Sequence, residues 1–121
     1  MAVRSNCGPH ALAAVAGLPV EDVERQYATI HGKGPRWRGK SRIRGLRRTA
    51  YALGVDLKRE DAGGTLKRWV AEAIPGRRYL IRVGGHFVAV ISGKVIDQHG
   101  NDRLEELART RVTHAYFIQG D

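Results

Sequence analysis

The chain has 121 residues, enough for one hydrophobic core and too few for two, and its 42% hydrophobic content is ordinary for a globular domain. No apolar run approaches the ~20 residues of a membrane span. The start, Met1-Ala2-Val3-Arg4-Ser5-Asn6, lacks the apolar stretch of a cleavable signal, and one cysteine leaves no internal disulfide. A single cytoplasmic domain over residues 1–121 is therefore expected, with no membrane partner. Its 21 Lys and Arg against 12 Asp and Glu leave a net charge of +9, which draws anionic partners.

The first element in chain order is a short helix of small apolar residues, from Cys7 or Gly8 to Ala16, stopped by Gly17. Pro19 followed by Val20-Glu21-Asp22-Val23-Glu24-Arg25-Gln26-Tyr27 predicts a second, because an entry proline and first-turn acids suit a helix N-terminus. A basic loop, Lys33 to Lys40, comes next. From Ser41 to Leu53 the apolar Ile43, Leu46, Ala50 and Leu53 recur at helical spacing; Ser41 is placed to cap this third helix and Gly54 to close it. Val55-Asp56-Leu57 is expected to form a short strand. Thr65 to Ile74 reads as a fourth helix, ended by Pro75-Gly76, with Trp69 in the core. Three close-set runs, Arg78–Val83, His86–Ile91 and Lys94–Asp97, predict antiparallel strands. A short capped helix from Asn101 to Arg109 and a strand from Thr113 to Gln119 complete the chain. Helices gathered first and strands last give an α+β domain.

Chemistry concentrates at three points of this plan. Cys7 opens the first helix, where unpaired backbone N–H groups favour thiolate over thiol and offer donors to an oxyanion. His86 opens a β-branched run after Gly84-Gly85, and Asp97 ends the next run beyond a Gly93 turn. If those runs pair as a hairpin, a base and a carboxylate lie at its two ends. A lone cysteine is usually a small buried hydrophobe and a strand-edge histidine an ordinary packing residue. The order cysteine on a helix start, histidine on a strand, acid on the next strand is instead that of nucleophile, base and orienter.

This order and its local text resemble the papain-like cysteine peptidase superfamily, most closely the small bacterial and phage branch typified by bacteriocin-leader peptidase domains. The matching segments are Asn6-Cys7-Gly8-Pro9 with the small-residue helix Ala11 to Ala16, Gly85-His86-Phe87-Val88-Ala89-Val90, and Val95-Ile96-Asp97. The resemblance implies a nucleophile helix packed on a C-terminal antiparallel sheet that carries the base. It implies a Cys7-His86-Asp97 triad cleaving amide or isopeptide bonds of a peptide or protein substrate, without a cofactor. Gln98 is a second candidate orienter. The family's oxyanion glutamine, about six residues before the cysteine, has Met1 in its place, which leaves the Cys7 amide and Asn6 as candidates for that role.

Two other readings use other residues. The run Lys33 to Arg48 carries Arg36, Trp37, Arg38, Lys40, Arg42, Arg44, Arg47 and Arg48, a patch for nucleic acid or another acidic partner, with Trp37 available to stack on a base. A catalytically silent papain-like protein binding through this face is the alternative function; a solvated basic face is the plainer explanation. Within the run, Gly34-Pro35-Arg36-Trp37-Arg38-Gly39-Lys40-Ser41 has the spacing of a phosphate-binding loop, a distant alternative that demands a buried strand just before it. Cys7, His86, Asp97 and His99 lack the paired short spacing of a zinc site. His10, His31 and His114 are expected at the surface or in packing.

Overall fold

A computed structural model describes residues 6–34, 37 and 41–119. Among these, five helices and five strands alternate as α1 (Cys7–Ala16), α2 (Val20–His31), α3 (Ile43–Ala52), β1 (Lys58–Glu60), α4 (Leu66–Glu72), β2 (Arg77–Val83), β3 (His86–Ile91), β4 (Lys94–Ile96), α5 (Leu104–Leu107) and β5 (Val112–Gln119). The strands form one antiparallel sheet in the order β1-β5-β2-β3-β4. The expected α+β class is what the structure has.

The central strands carry buried apolar residues on both faces because both faces of the sheet are covered, and the period of two divides those residues between two cores. Leu80, Phe87 and Ala89 turn to the face packed by Leu12 and Val15 of α1, Val23 and Tyr27 of α2, and Leu46 and Ala50 of α3. Tyr79, Ile81, Val83, Val88 and Val90 turn to the opposite face, where Leu66 and Trp69 of α4 and Leu104 and Leu107 of α5 cover them. Trp69 is a core-edge residue, as expected, and its indole N–H donates to the Asp61 carbonyl at 3.0 Å. The first core holds α1, the helix that begins at Cys7, against β3.

Two hairpins bring the chemistry to one end of the sheet. The β2–β3 turn is Gly84-Gly85; Gly84 has φ 60°, the left-handed conformation that glycine adopts without cost, and Val83 pairs with His86 directly across it. The β3–β4 turn is Ser92-Gly93, with φ 52° and 78°, a two-residue loop whose twist matches that of its strands. Ile91 then pairs with Lys94, and Ala89 with Ile96. Asp97 follows at the strand end and closes a turn by exchanging backbone hydrogen bonds with Gly100 at 2.9 and 3.2 Å.

Helix α2 runs through Tyr27, which packs into the core, and ends at Gly32. Three local expectations change. Ser41 does not cap α3: Arg42 holds the cap position without a side-chain bond, and the Ser41 hydroxyl is buried, with no hydrogen-bond partner among the described residues. Val55-Asp56-Leu57 is not a strand. Val55 and Leu57 pack into the first core, and the strand follows at Lys58–Glu60, paired with β5. Helix α5 keeps only Leu104–Leu107 of the expected Asn101–Arg109.

The basic run changes too. Arg36, Arg38 and Lys40 lie outside the described residues. Trp37 is not an open stacking platform: its ring stacks on Tyr27, with centroids 5.0 Å apart and planes 5° apart, and it packs against the first core. The segment with phosphate-loop spacing follows helix α2 rather than a strand, and every strand pairing among the described residues is antiparallel. The strand-to-helix setting such a loop needs is not found there.

Candidate active site

Cys7 is the first residue of α1, and the composition of that helix explains how it gets there. Pro9 sits in the first turn, where a missing N–H costs no intrahelical bond, and the alanines after it are the best helix formers. Gly8 lets α1 lie close to α3: a methyl group on Gly8 would fall 2.0 Å from Ser41 Oγ and 3.0 Å from Leu46 Cδ1. Cys7 itself is half-buried and touches the edge of the first core. The packing of α1 on β3 sets its thiol beside His86.

His86 lies between two partners. Its Nε2 is 2.8 Å from Asp97 Oδ2, and Cys7 neighbours the ring as well, which leaves Nδ1 to face the sulfur. The backbone N–H groups of Phe87 and Gly8 also favour the thiolate form. Burial pushes the Cys7 thiol up, but the His86 hydrogen bond, these two amides and the attraction to the imidazole together hold it below its ordinary value. The bond to Cys7 raises His86, burial opposes it, and the bond to Asp97 raises it further, for a net upward shift. Opposed shifts in a bonded thiol and imidazole favour the thiolate–imidazolium pair.

Asp97 is the anchor of the group. Its side chain is 0% exposed, which on its own would raise its pKa, yet it accepts from His86, from the His99 backbone N–H at 2.8 Å and from Arg103 Nε at 3.2 Å. These bonds outweigh burial and hold the carboxyl below the ordinary carboxylate range. A buried charge persists only when hydrogen-bonded and paired, and Asp97 is both. Arg103 is a member of the site that motif reasoning missed. It stands at the cap position of α5, its backbone N–H bonded to Val95 O at 2.8 Å and its Nη1 to Glu106 at 2.7 Å. The one signal in the sequence is a cation six residues after the acid, in a segment read only as helix.

The other expected residues fall around this chain. The acceptor on His86 Nε2 is Asp97; the amide nitrogen of Gln98, the second candidate, lies 3.2 Å from His99 Nε2, and the His99 ring stacks on His86 at 6.3 Å. Asn6 holds the cap position of α1, with its carbonyl accepting from the His10 N–H at 3.0 Å and no side-chain cap bond. Met1, where the family glutamine would be, lies outside the described residues. His31 packs on the Tyr27 ring and contacts Gly45 O at 3.3 Å, and His114 bonds Thr113; both are packing or surface residues. His10 is half-buried, and its Nδ1 has no hydrogen-bond partner among the described residues. No group of three or more His, Cys, Asp and Glu among the described residues is arranged to hold a metal ion. No helix among them is long and apolar enough to cross a membrane.

The arrangement sets a thiol, an imidazole and a buried carboxylate in one line at a helix N-terminus. No protein-family model matches the chain, and no curated protein matches it in sequence.

Proposed function

We propose that the protein is a thiol-dependent hydrolase of amide or isopeptide bonds, a small papain-like cysteine peptidase. The observation that carries this reading is the continuous line from Cys7 through His86 to the buried, arginine-backed Asp97. In the reaction the Cys7 sulfur attacks the carbonyl carbon, a C–S bond forms and the carbonyl electrons move to oxygen. The backbone N–H of Cys7, at the start of α1, is the donor offered to that oxyanion. As the tetrahedral adduct collapses, the C–N bond breaks, and the proton on His86 Nδ1 goes to the leaving amine, giving a thioester. Water then attacks the thioester, His86 takes the water's proton, and breakage of the C–S bond frees the acid and regenerates the thiolate. Asp97 keeps Nε2–H engaged throughout, so that Nδ1 always faces the sulfur.

The test is digestion of a diverse peptide and isopeptide library read by mass spectrometry. New termini are expected with the native chain and absent with Cys7→Ala, and a thioester adduct on Cys7 is expected after acid quenching. Cleavage that persists in Cys7→Ala would remove the reading.

A further inference from the structure

Helix α3 has two sides of opposite character. Gly45, Leu46, Thr49 and Ala50 are buried, whereas Arg44, Arg47, Arg48 and Tyr51 are exposed, at three- and four-residue spacing along one face. With Val55, Asp56 and Leu57 these four residues line a cleft of about 330 Å³. Among the described residues Arg44, Arg47 and Arg48 form no ion pair; Arg47 lies over the Tyr116 ring at 4.8 Å. Arg59, the cross-strand partner of Tyr116, adds a fourth exposed guanidinium beside that ring. Tyr51 is 78% exposed, the most open of the large hydrophobic side chains.

We propose that this cleft binds single-stranded nucleic acid, with phosphates on the arginines and a base stacked on Tyr51. Guanidinium forks match phosphate oxygens in pairs, and an uncovered aromatic ring accepts any unpaired base by its π-face. Val55 and Leu57 give the cleft an apolar floor for the base. An acidic peptide would use the arginines alone, leaving Tyr51 without a role and setting its carboxylates against Asp56. A base, by contrast, offers Asp56 an N–H donor to accept from, the ring imide N–H in thymine or uracil and amino groups in the others. The site is distinct from the thiol: its lining residues lie on the exposed face of α3 and in the segment leading to β1, and none of them is among the groups that act on Cys7, His86 or Asp97. The inference therefore stands apart from the proposed hydrolase activity.

The experiment is fluorescence anisotropy of a labelled short oligothymidylate with the full chain over a range of salt. Tyr51→Ala is expected to weaken binding about tenfold while Tyr51→Phe retains it, since a stacked base is worth roughly that factor. Arg44→Ala with Arg48→Ala is expected to lose a similar factor and to flatten the salt slope by about 0.7 for each phosphate contact removed. Cys7→Ala is expected to bind as the native chain does. In the unmutated protein, photo-crosslinking with a bromouridine oligonucleotide is expected at the peptide carrying Tyr51, a readout that needs no variant to fold. The proposal is overturned by equal losses in the exposed controls Lys94→Ala and Arg109→Ala, by an unaffected Tyr51→Ala, by crosslinks elsewhere, or by polyglutamate displacing the oligonucleotide as well as unlabelled DNA does.

Discussion

The β3–β4 edge and the α3–β1 edge of the molecule treat charge in opposite ways. At the first, the charges around Asp97 are partnered and directed: His86 lies between Cys7 and Asp97, and the buried Asp97 between His86, Arg103 and the His99 amide. At the second, three arginines and a tyrosine of α3 stand in solvent with no ion pair among the described residues. Burial with full hydrogen bonding sets orientation and pKa, which bond-making chemistry requires. Open, unpaired cations set attraction and reach, which suits binding of a flexible polyanion. Asp97 follows one edge strand of the sheet, β4, and residues 55–57 lead into the other, β1.

The largest effect that would break this contrast is expected at Asp97. Asp97→Asn leaves the shape but lets His86 Nε2 lose its anionic acceptor, so the turnover rate is expected to fall by about 10²- to 10⁴-fold with little change in oligonucleotide affinity. Steady-state kinetics on a cleaved library peptide, beside anisotropy, measures both. A fall confined to binding would reverse the assignment of the two edges.

Next is Gly8→Ala, which drives a methyl group into Ser41 Oγ and Leu46 at the α1–α3 contact. The expected cost is about 1–3 kcal/mol of stability in denaturant melts, with slowed chemistry because α1 carries Cys7. An unchanged midpoint would mean that α1 is not seated on α3 as described.

A smaller effect is expected from Arg103→Ala. Asp97 loses one of the bonds that hold its carboxyl low, so its pKa rises and its grip on the imidazolium weakens. A rate loss of roughly tenfold is expected, the size of one charged hydrogen bond. The pH profile carries the sign. The active thiolate–imidazolium pair forms as pH rises through the lowered Cys7 pKa and is lost as pH passes the raised His86 pKa. Arg103→Ala is expected to alter the alkaline limb, set by His86, more than the acid limb. A loss that is uniform across pH would make Arg103 a packing residue only.

What the sequence disclosed follows from how local each feature is. The start of α1 at Cys7, the Gly84-Gly85 and Ser92-Gly93 turns and the strands around them are encoded by neighbouring residues, so the places of Cys7, His86 and Asp97 were legible together with the α+β class. The features that escaped depend on distant partners. Lys58–Glu60 is charged and without alternation, and becomes a strand only because β5, over fifty residues later, pairs with it. Charged residues there also suit a sheet edge. The Arg103 bond to Asp97 has no periodic signature, and Trp37 looks exposed among arginines until the core edge supplies Tyr27.

The measurement that tests the central claim most directly is the rate of Cys7 alkylation by iodoacetamide against pH, in the native chain and in His86→Ala. A bonded thiol–imidazole pair predicts a thiolate titrating below the ordinary thiol value in the native chain and moving upward when His86 is removed. One unshifted curve shared by both proteins would contradict it.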